Sequence, residues 1–362
     1  MICQVRGGTI RNFNRSIPEK RGLTRSHVDI LAFRELFYVV MKRYLLPLLW
    51  VIIPLFLSPA PAFPFGGPLQ AKNEFPLFLP LNAPFIETAA YDHSFSVNLS
   101  YSSVYMVRNS AAWSVNLDME VAELNFRYRK DILNLLELGI DIPVLSFNSG
   151  FMDDFLSSYH KTFGFSDYGR SGRPSNTFLY EVKKNGVLVI KAEGGRVGIG
   201  DVRITAKRTL LSDDPAVSLI ADVELPTGSA SKGFGNGSID AGVGLLVDKK
   251  LSEKIKAYLN LGVVFPGDFK ARETIALKNF VYGGLCIEAD VSKNISLLGQ
   301  VFAQNSPFPK TGISSIDRTA VLLTLGGRYT SGKDSFELSF TEDPNTAGAP
   351  DFTITLAYKK RF

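Results

Sequence analysis

The sequence is poor in the side chains on which metal sites and most catalytic sites depend. In 362 residues it has 2 cysteines, Cys3 and Cys286, and 3 histidines, His27, His93 and His160. Cys3 lies in an N-terminal region that we expect to be absent from the mature protein, which leaves one thiol and excludes an internal disulfide or a cysteine metal cluster. We therefore predict no cofactor and no metal ion, and expect Cys286 to be a small buried residue of a strand.

The chain also lacks a basic domain, although its formal net charge is +5. Nine of the 40 Lys and Arg residues but only three of the 35 acidic residues precede residue 63, so 31 basic and 32 acidic residues remain in the body. Proteins that bind nucleic acid carry a basic patch on the folded domain. A nucleic-acid partner is therefore not expected.

No apolar run is long enough to form a transmembrane helix. The longest, residues 45–57, is interrupted by Pro47 and Pro54. At about thirteen residues it falls short of the roughly 20 that a helical span requires. This run is better explained as part of an export signal.

That run has the flanks of a secretory signal peptide. A basic stretch begins at Met41, and an Ala-x-Ala site ends at Ala62. This order of parts is typical of a signal peptide. We predict a signal over 41–62 that is cleaved before Phe63, and interpret residues 1–40 as a mis-annotated upstream segment; whether translation starts at Met1 or Met41 stays open.

The rest of the chain alternates apolar and polar residues with a period of two. In residues 95–101, Phe, Val, Leu and Tyr alternate with Ser and Asn, and similar runs recur to the C terminus. Such alternation is typical of strands with one apolar face. We predict that residues 93–362 form an all-β transmembrane antiparallel barrel of about 14 strands. This count includes two strands on either side of a hairpin turn at Asn185-Gly186. If residues 175–194 are instead an extracellular hairpin, the barrel has 12 strands.

The connections and the charges distinguish a membrane barrel from a soluble sandwich. Short and long connections alternate along the chain, as periplasmic turns and extracellular loops do. A charge facing lipid costs about 2–4 kcal/mol at the bilayer midplane, and the apolar faces of the strands are nearly free of charge. The charged residues predicted to face the lumen are Glu123, Arg127, Arg129, Glu137, Asp141, Asp201, Arg203, Lys207, Asp222, Glu224, Glu288, Asp290, Arg328 and Glu337. They could line a pore or pair with one another and fill it.

Two segments fall outside the strand pattern. Residues 63–92 are proline-rich, and we expect a periplasmic leader because chain ends are usually loosely held, with a plug in the barrel mouth as the alternative. The long connection 148–174 has apolar residues at helical spacing and predicts a short helix, either a lid over the extracellular mouth or a helix packed against the rim. The residues of this possible lid are Phe151, Phe155, Tyr159, His160 and Phe163.

A hydrolase site on this connection is a further alternative. Ser157 lies three residues before His160, so both could share one face of a helix. However, no nucleophile motif supports the pair. We predict no catalytic residue.

The last strand ends on Phe362, with apolar or aromatic residues at several alternate positions before it, Tyr358 among them. This pattern resembles the recognition strand of bacterial outer-membrane proteins. The resemblance implies that Tyr358 and Phe362 form an assembly signal and that the barrel-assembly machinery is a partner.

Three short motifs resemble an uncharacterised family of bacterial outer-membrane β-barrel proteins that carries only a domain-of-unknown-function label. The motifs are Gly67-Pro68-Leu69, His160-Lys161-Thr162-Phe163-Gly164 with Gly169-Arg170, and Gly198-Ile199-Gly200-Asp201-Val202. The resemblance covers nearly all of residues 65–362. It implies an exported barrel in the bacterial outer membrane and transfers no catalytic residue.

The expected function is a passive channel for small solutes, with apolar solutes as one option. The alternatives are an outer-membrane enzyme that uses the 148–174 loop and a closed structural or surface-binding barrel. The expected partners are outer-membrane lipid, the assembly machinery and a small solute whose identity no residue specifies.

Overall fold

The computed structural model of the chain describes residues 65–164 and 169–362. The predicted upstream segment, the signal peptide and its cleavage site at Ala62 and Phe63 lie outside the described residues. They stay predictions.

The described chain is almost entirely β-structure. In chain order the strands are β1 (Ser94–Asn109), β2 (Trp113–Ile132), β3 (Leu136–Asn148), β4 (Leu179–Lys184), β5 (Val187–Lys191), β6 (Arg196–Ile199), β7 (Val202–Leu211), β8 (Ala216–Leu225), β9 (Asp240–Ser252), β10 (Ile255–Phe265), β11 (Phe269–Lys270), β12 (Thr274–Ile275), β13 (Phe280–Asp290), β14 (Ile295–Gln304), β15 (Ala320–Ser331), β16 (Asp334–Glu342) and β17 (Phe352–Arg361). The helices are α1 (Asp153–Phe163) and α2 (Ser314–Asp317), with short 3-10 turns at Arg170–Gly172 and Ala230–Lys232. Among the described residues, no helix is long and apolar enough to cross a bilayer.

Twelve strands close into one antiparallel barrel. The circuit runs β1, β2, β3, β7, β8, β9, β10, β13, β14, β15, β16 and β17, and returns to β1. The closing pair of β1 and β17 is in register from Ser94 opposite Arg361 to Ser103 opposite Phe352. The predicted all-β antiparallel barrel is therefore confirmed, and it has no open edge.

The hairpin at Asn185-Gly186 explains why the strand count is twelve and not fourteen. Both residues have positive φ, 50° and 79°, as the tight turn between β4 and β5 requires. β4 pairs with the upper part of β2, from Trp113 to Asp118, beyond the point where β3 has ended. β4 and β5 therefore extend the wall above the barrel and are not part of its circuit.

With one exception, long and short connections lie at opposite ends of the barrel; the exception is the three-residue turn 110–112 between β1 and β2, which lies at the same end as the long connections. The turns after β2, β7, β9, β13 and β15 are short, and both ends of the circuit lie beside them, where the N–H of Phe362 donates to the carbonyl of His93 at 2.9 Å. The connections after β3, β8, β10, β14 and β16 are longer and lie at the other end. We call these the turn end and the loop end.

Candidate functional site in the barrel lumen

The alternation of each strand places its polar residues inside the barrel. Of the fourteen charged residues predicted to face the lumen, thirteen are buried and Asp290 is half-buried. Apolar residues of the opposite faces, such as Leu99 and Leu356, are exposed on the outside. Buried charges are costly unless they are paired, and these charges have neighbours of the opposite sign.

Residues 65–92 lie inside the barrel and form a U-shaped segment that we call the plug. It enters at the turn end, turns back at residues 75–81 near the loop end, and returns to the turn end to join β1. All residues from 73 to 86 are buried. The plug interpretation of this proline-rich segment therefore describes its position, whereas a periplasmic tail does not.

The ascending arm of the plug is bound through its backbone. The carboxylate of Glu288 accepts hydrogen bonds from the N–H groups of Gly66, at 2.8 Å, and Gly67, at 3.2 Å. Glu337 accepts from the N–H of Gln70 at 3.1 Å. Two wall carboxylates thus supply the hydrogen-bond acceptors that an irregular buried backbone needs.

Arg328 connects these carboxylates to the plug. Its guanidinium lies 2.6 Å from Glu288 and 2.8 Å from Glu337, and it donates to the carbonyl of Gly67 at 2.6 Å. The side chain is 1% exposed. A buried cation between two buried carboxylates makes this cluster the most strongly charged contact of the ascending arm.

Gly66 is required by the close approach of that arginine. A Cβ atom at this position would lie 2.3 Å from Nη1 of Arg328. Gly66→Ala is expected to destabilise the protein by about 1–3 kcal/mol, the usual cost of overpacking a filled interior, as measured by denaturant unfolding in detergent micelles. Gly172→Ala is the control because a Cβ there meets nothing within 4 Å; equal losses in both variants would contradict the packing described.

The descending arm carries an acidic side chain into a basic part of the wall. Glu87 forms ion pairs with Arg127 and Arg129, and both arginines also contact Asp141. The backbone of Glu87 makes two hydrogen bonds with the side-chain amide of Asn260, at 2.7 and 2.9 Å. This stretch of the plug is therefore fixed both by charge and by backbone hydrogen bonds.

Wall charges also bind the peptide groups on either side of Glu87. Lys207 donates to the carbonyls of Thr88, at 3.0 Å, and Ala90, at 2.7 Å. Asp248 accepts from the N–H of Ala89 at 3.0 Å. Further up, Asn82 donates its backbone N–H to Glu224 and its side-chain amide to Asp222.

The interior is divided into a charged half and an apolar half. Towards the turn end the wall is charged, whereas towards the loop end it is mainly aliphatic and aromatic, with Asp201, Glu224 and Asp240 as buried acidic exceptions. The apolar cluster includes Trp113, Val115, Phe147, Tyr180, Phe234, Phe280, Phe302 and Phe308 of the wall and loops, with Phe75, Leu77, Phe78 and Leu81 of the plug. Phe78 stacks on Phe308 with ring centroids 6.1 Å apart, so the plug apex fills the apolar half.

Asp201 connects a strand to the loop after β8 at the loop end. Its carboxylate accepts from the N–H groups of Gly228, at 2.7 Å, and Asn236, at 2.8 Å. Burial raises its pKa to about 6. Because this value lies above the ordinary one, the folded protein binds more protons between about pH 4 and 6, and the contribution of Asp201 to stability falls as the pH rises through that range.

The predicted helix exists but does not cover the mouth. α1 packs through Leu156, together with Met152 just before the helix, against Phe352 and the neighbouring Tyr101, which lie on the outward face of the wall. Phe151, Phe155 and Tyr159 therefore do not form a lid over the mouth, and the alternative of a helix packed against the rim describes their position; the side chains of His160 and Phe163 lie outside the described part of this loop. The reason is that the apolar side of the helix finds an apolar partner on the outer wall.

The described residues give no geometric support to a hydrolase site on this loop. Ser157 is exposed on α1, and the side chains of His160 and Phe163 lie outside the described part of the chain. Within that part, no three His, Cys, Asp or Glu side chains are grouped to hold a metal ion. Cys286 is fully buried, as expected for a strand residue that packs inside.

Sequence reasoning missed some of the residues that hold the plug. Glu87 and Asn82 fall in the segment expected to be a periplasmic leader, and Asp248 is not among the charged residues predicted to face the lumen. Asn260 lies on the polar face of a predicted strand, but an uncharged amide was not considered. A search for every polar residue on the inward faces would have found Asp248 and Asn260.

The closed antiparallel circuit, the apolar outer face and the charged interior define a transmembrane β-barrel of the outer-membrane type. The chain belongs to the family described as "Protein of unknown function (DUF3187)", whose model matches residues 54–362. The resemblance seen in the short sequence motifs is thereby confirmed.

Solved structures with similar folds include channels and porins. An outer-membrane channel from Pseudomonas putida F1 has 14% identity and a TM-score of 0.50, over 75% of this chain and 96% of that chain. The NanC porin has 7% identity and a TM-score of 0.42, over 74% and 98%, and the CymD monoaromatic hydrocarbon channel has 12% and 0.38, over 84% and 95%. No curated protein matches.

Proposed function

We propose that the protein is an outer-membrane channel for small apolar or amphipathic solutes, held closed in the described state by residues 65–92. The observation that carries the proposal is the division of the lumen. Once the plug is displaced, the half of the lumen nearer the loop end would present a mainly aromatic and aliphatic surface, and apolar surfaces bind apolar solutes by excluding water. A pore for ions would instead present charge along its path.

The plug can leave without opening the barrel. Its contacts with the wall join side chains to backbone, or side chains to each other, as in the bonds from Glu288 and Lys207. In the described residues, the plug adds no strand to the barrel ladder. Displacing it therefore breaks local hydrogen bonds, ion pairs and the apolar contacts of its apex, and leaves the twelve-stranded wall intact.

Export and assembly fit the same proposal. A signal peptide over 41–62 would deliver the chain to the periplasm, and the C-terminal strand would then be read by the assembly machinery. Phe362 is available for such a contact because it is exposed at the turn end. Its neighbour Tyr358 is fixed by a hydrogen bond to Asp334 at 2.6 Å.

A closed structural barrel is the second candidate, and the complete burial of residues 73–86 favours it. A plug that never moves would give the same structure. The two candidates differ in whether solutes cross the membrane, so the test must combine a flux measurement with control of plug movement.

The native thiol offers that control. Leu69 of the plug packs against Cys286 of the wall in one buried cluster, so Leu69→Cys is expected to form a disulfide that tethers the plug. Cells that express the barrel should take up an apolar fluorophore, N-phenyl-1-naphthylamine, faster than cells with an empty vector. Oxidation of the Leu69→Cys variant should abolish this difference, and reduction should restore it.

The double variant Leu69→Cys with Cys286→Ser is the matched control because it keeps the plug substitution but cannot form the tether. Its uptake should not respond to oxidants. Uptake equal to that of the empty vector in the unmodified protein would refute the channel and favour the closed barrel. Uptake that persists after the tether is oxidised would show that the solute path does not need plug movement.

A further inference from the structure

We propose that α1 is an interfacial anchor that lies in the outer leaflet of the membrane on the flank of the barrel, with Phe151 and Phe155 in contact with lipid. The proposal does not depend on the channel function, but it does depend on the barrel being embedded in a bilayer.

The position of α1 follows from the register of the wall. Leu99 lies opposite Leu356, and Tyr101 lies opposite Ile354, in the pairing of β1 with β17. Residues paired in this way share a face, and both leucines are exposed on the outside. Tyr101 and Ile354 therefore also face outwards, and the helix that packs on them lies outside the barrel.

The height of α1 on the wall corresponds to a membrane interface. Phe352, which α1 contacts, lies opposite Glu342 of β16. Glu342 is eight residues from Asp334, with which β16 begins at the turn end. With a rise of about 3.4 Å per residue and a tilt of about 40°, this places the contact roughly 20 Å above the turn end. The apolar band of such barrels is about 25 Å tall and ends in aromatic residues, so α1 lies near its upper border.

The faces of α1 fit this location. At 100° per residue, Met152, Phe155, Leu156 and Tyr159 fall within one arc. The polar residues Asp154, Ser157, Ser158 and Lys161 fall within another. A helix with an apolar side and a charged side is the form that lies in the plane of an interface.

Part of the apolar surface formed by α1 and the two residues before it is covered by the wall and part is not. Met152 and Leu156 are buried, whereas Phe151 is 60% exposed and Phe155 is 51% exposed. The Phe151 ring stacks on Tyr101 with centroids 5.2 Å apart, and the Phe155 ring lies 5.9 Å from that of Phe352. The two exposed rings are thus continuous with the lipid-facing surface of the wall, which identifies lipid as their partner.

A polar network fixes the helix against the wall. Glu120 of β2 accepts from the N–H groups of Phe151, at 2.9 Å, and Met152, at 2.5 Å. Arg170 joins Asp153 at the start of α1 to Asp351 in the loop after β16. These contacts hold the helix at one height and favour an anchor over a segment that closes onto the mouth.

Tryptophan fluorescence in bilayers with brominated acyl chains tests the anchor. In a chain whose Trp50 and Trp113 are replaced by phenylalanine, Phe155→Trp should be quenched at least about twofold relative to unbrominated lipid. Phe151→Trp gives a second position on the same surface. Both substitutions keep an aromatic side chain at an exposed site, so folding should be preserved.

Two matched controls separate the possible failures. Leu338→Trp, on the outward face of β16, should be quenched if the barrel is embedded, whereas Val187→Trp, exposed at the tip of the β4–β5 hairpin above the barrel, should not. Quenching of Leu338→Trp without quenching at residues 155 and 151 would overturn the anchor and leave the membrane barrel intact. If Leu338→Trp is also unquenched, the barrel is not embedded and the anchor falls with it.

Discussion

Deletion of residues 66–90 is expected to convert a closed barrel into an open pore. The plug fills the lumen from the turn end to the apolar half near the loop end, and a twelve-stranded wall without it encloses more space than the eight-stranded barrels that side chains alone can fill. Single-channel conductance in planar bilayers should rise by about tenfold or more over the full chain, the difference between a filled and an aqueous barrel interior.

The wall should survive this deletion for a physical reason. Carboxylates such as Glu288 and Asp248 lose the peptide N–H groups of the plug, but water enters the lumen and solvates them in the same step. The charges therefore do not stay buried without partners, which would be the costly outcome.

A synthetic peptide of residues 65–92 supplies the control in the same bilayer. Added to the deletion variant, it should block the current in a concentration-dependent manner, whereas a peptide of the same composition in scrambled order should not. An unchanged conductance in a correctly folded deletion variant would show that the plug does not occlude the pore.

Arg328→Met is expected to cause the largest loss of stability from one substitution. The arginine lies between Glu288 and Glu337 and donates to the plug carbonyl of Gly67. Removing one partner of a buried charge cluster costs about 3–5 kcal/mol because the remaining charges stay buried without compensation. The free energy of unfolding in detergent micelles, and the protease sensitivity of the plug, are the measurements.

The chain offers a surface pair as the control for this substitution. Arg196 contacts Glu193 at 2.8 Å, but their side chains are 69% and 70% exposed, so Arg196→Met should cost no more than about 1 kcal/mol. Adding Glu288→Gln and Glu337→Gln to Arg328→Met should recover part of the loss. A loss as small as that of Arg196→Met would mean that the cluster does not hold the plug.

The fold was predictable because each strand obeys a local rule. The alternation around Phe95, Val97 and Leu99 depends only on which neighbours are apolar, and a barrel repeats this pattern on every strand. The hairpin at Asn185-Gly186 was also predictable, but its place outside the circuit was not. That place depends on how far β2 extends beyond β3, which is a property of the assembled wall.

The site was less predictable because the plug is bound mainly through its backbone. Gly66, Gly67 and Ala89 contribute N–H groups that every residue except proline has, so their sequence gives no sign of a partner. The charged wall residues were found, but charge alone does not distinguish a pore lining from a binding surface for peptide groups. Only the position of the plug decides between these roles.

The covalent link between the plug and β1 has a consequence for any solute that competes with it. A segment joined to the wall through His93 stays near its binding surface even when released, at an effective concentration in the millimolar range for a short linker. A solute that displaces the plug must therefore compete with a segment whose effective concentration at the wall stays high. For the proposed channel, this connection favours brief displacement followed by rapid return, so the open state would be short-lived.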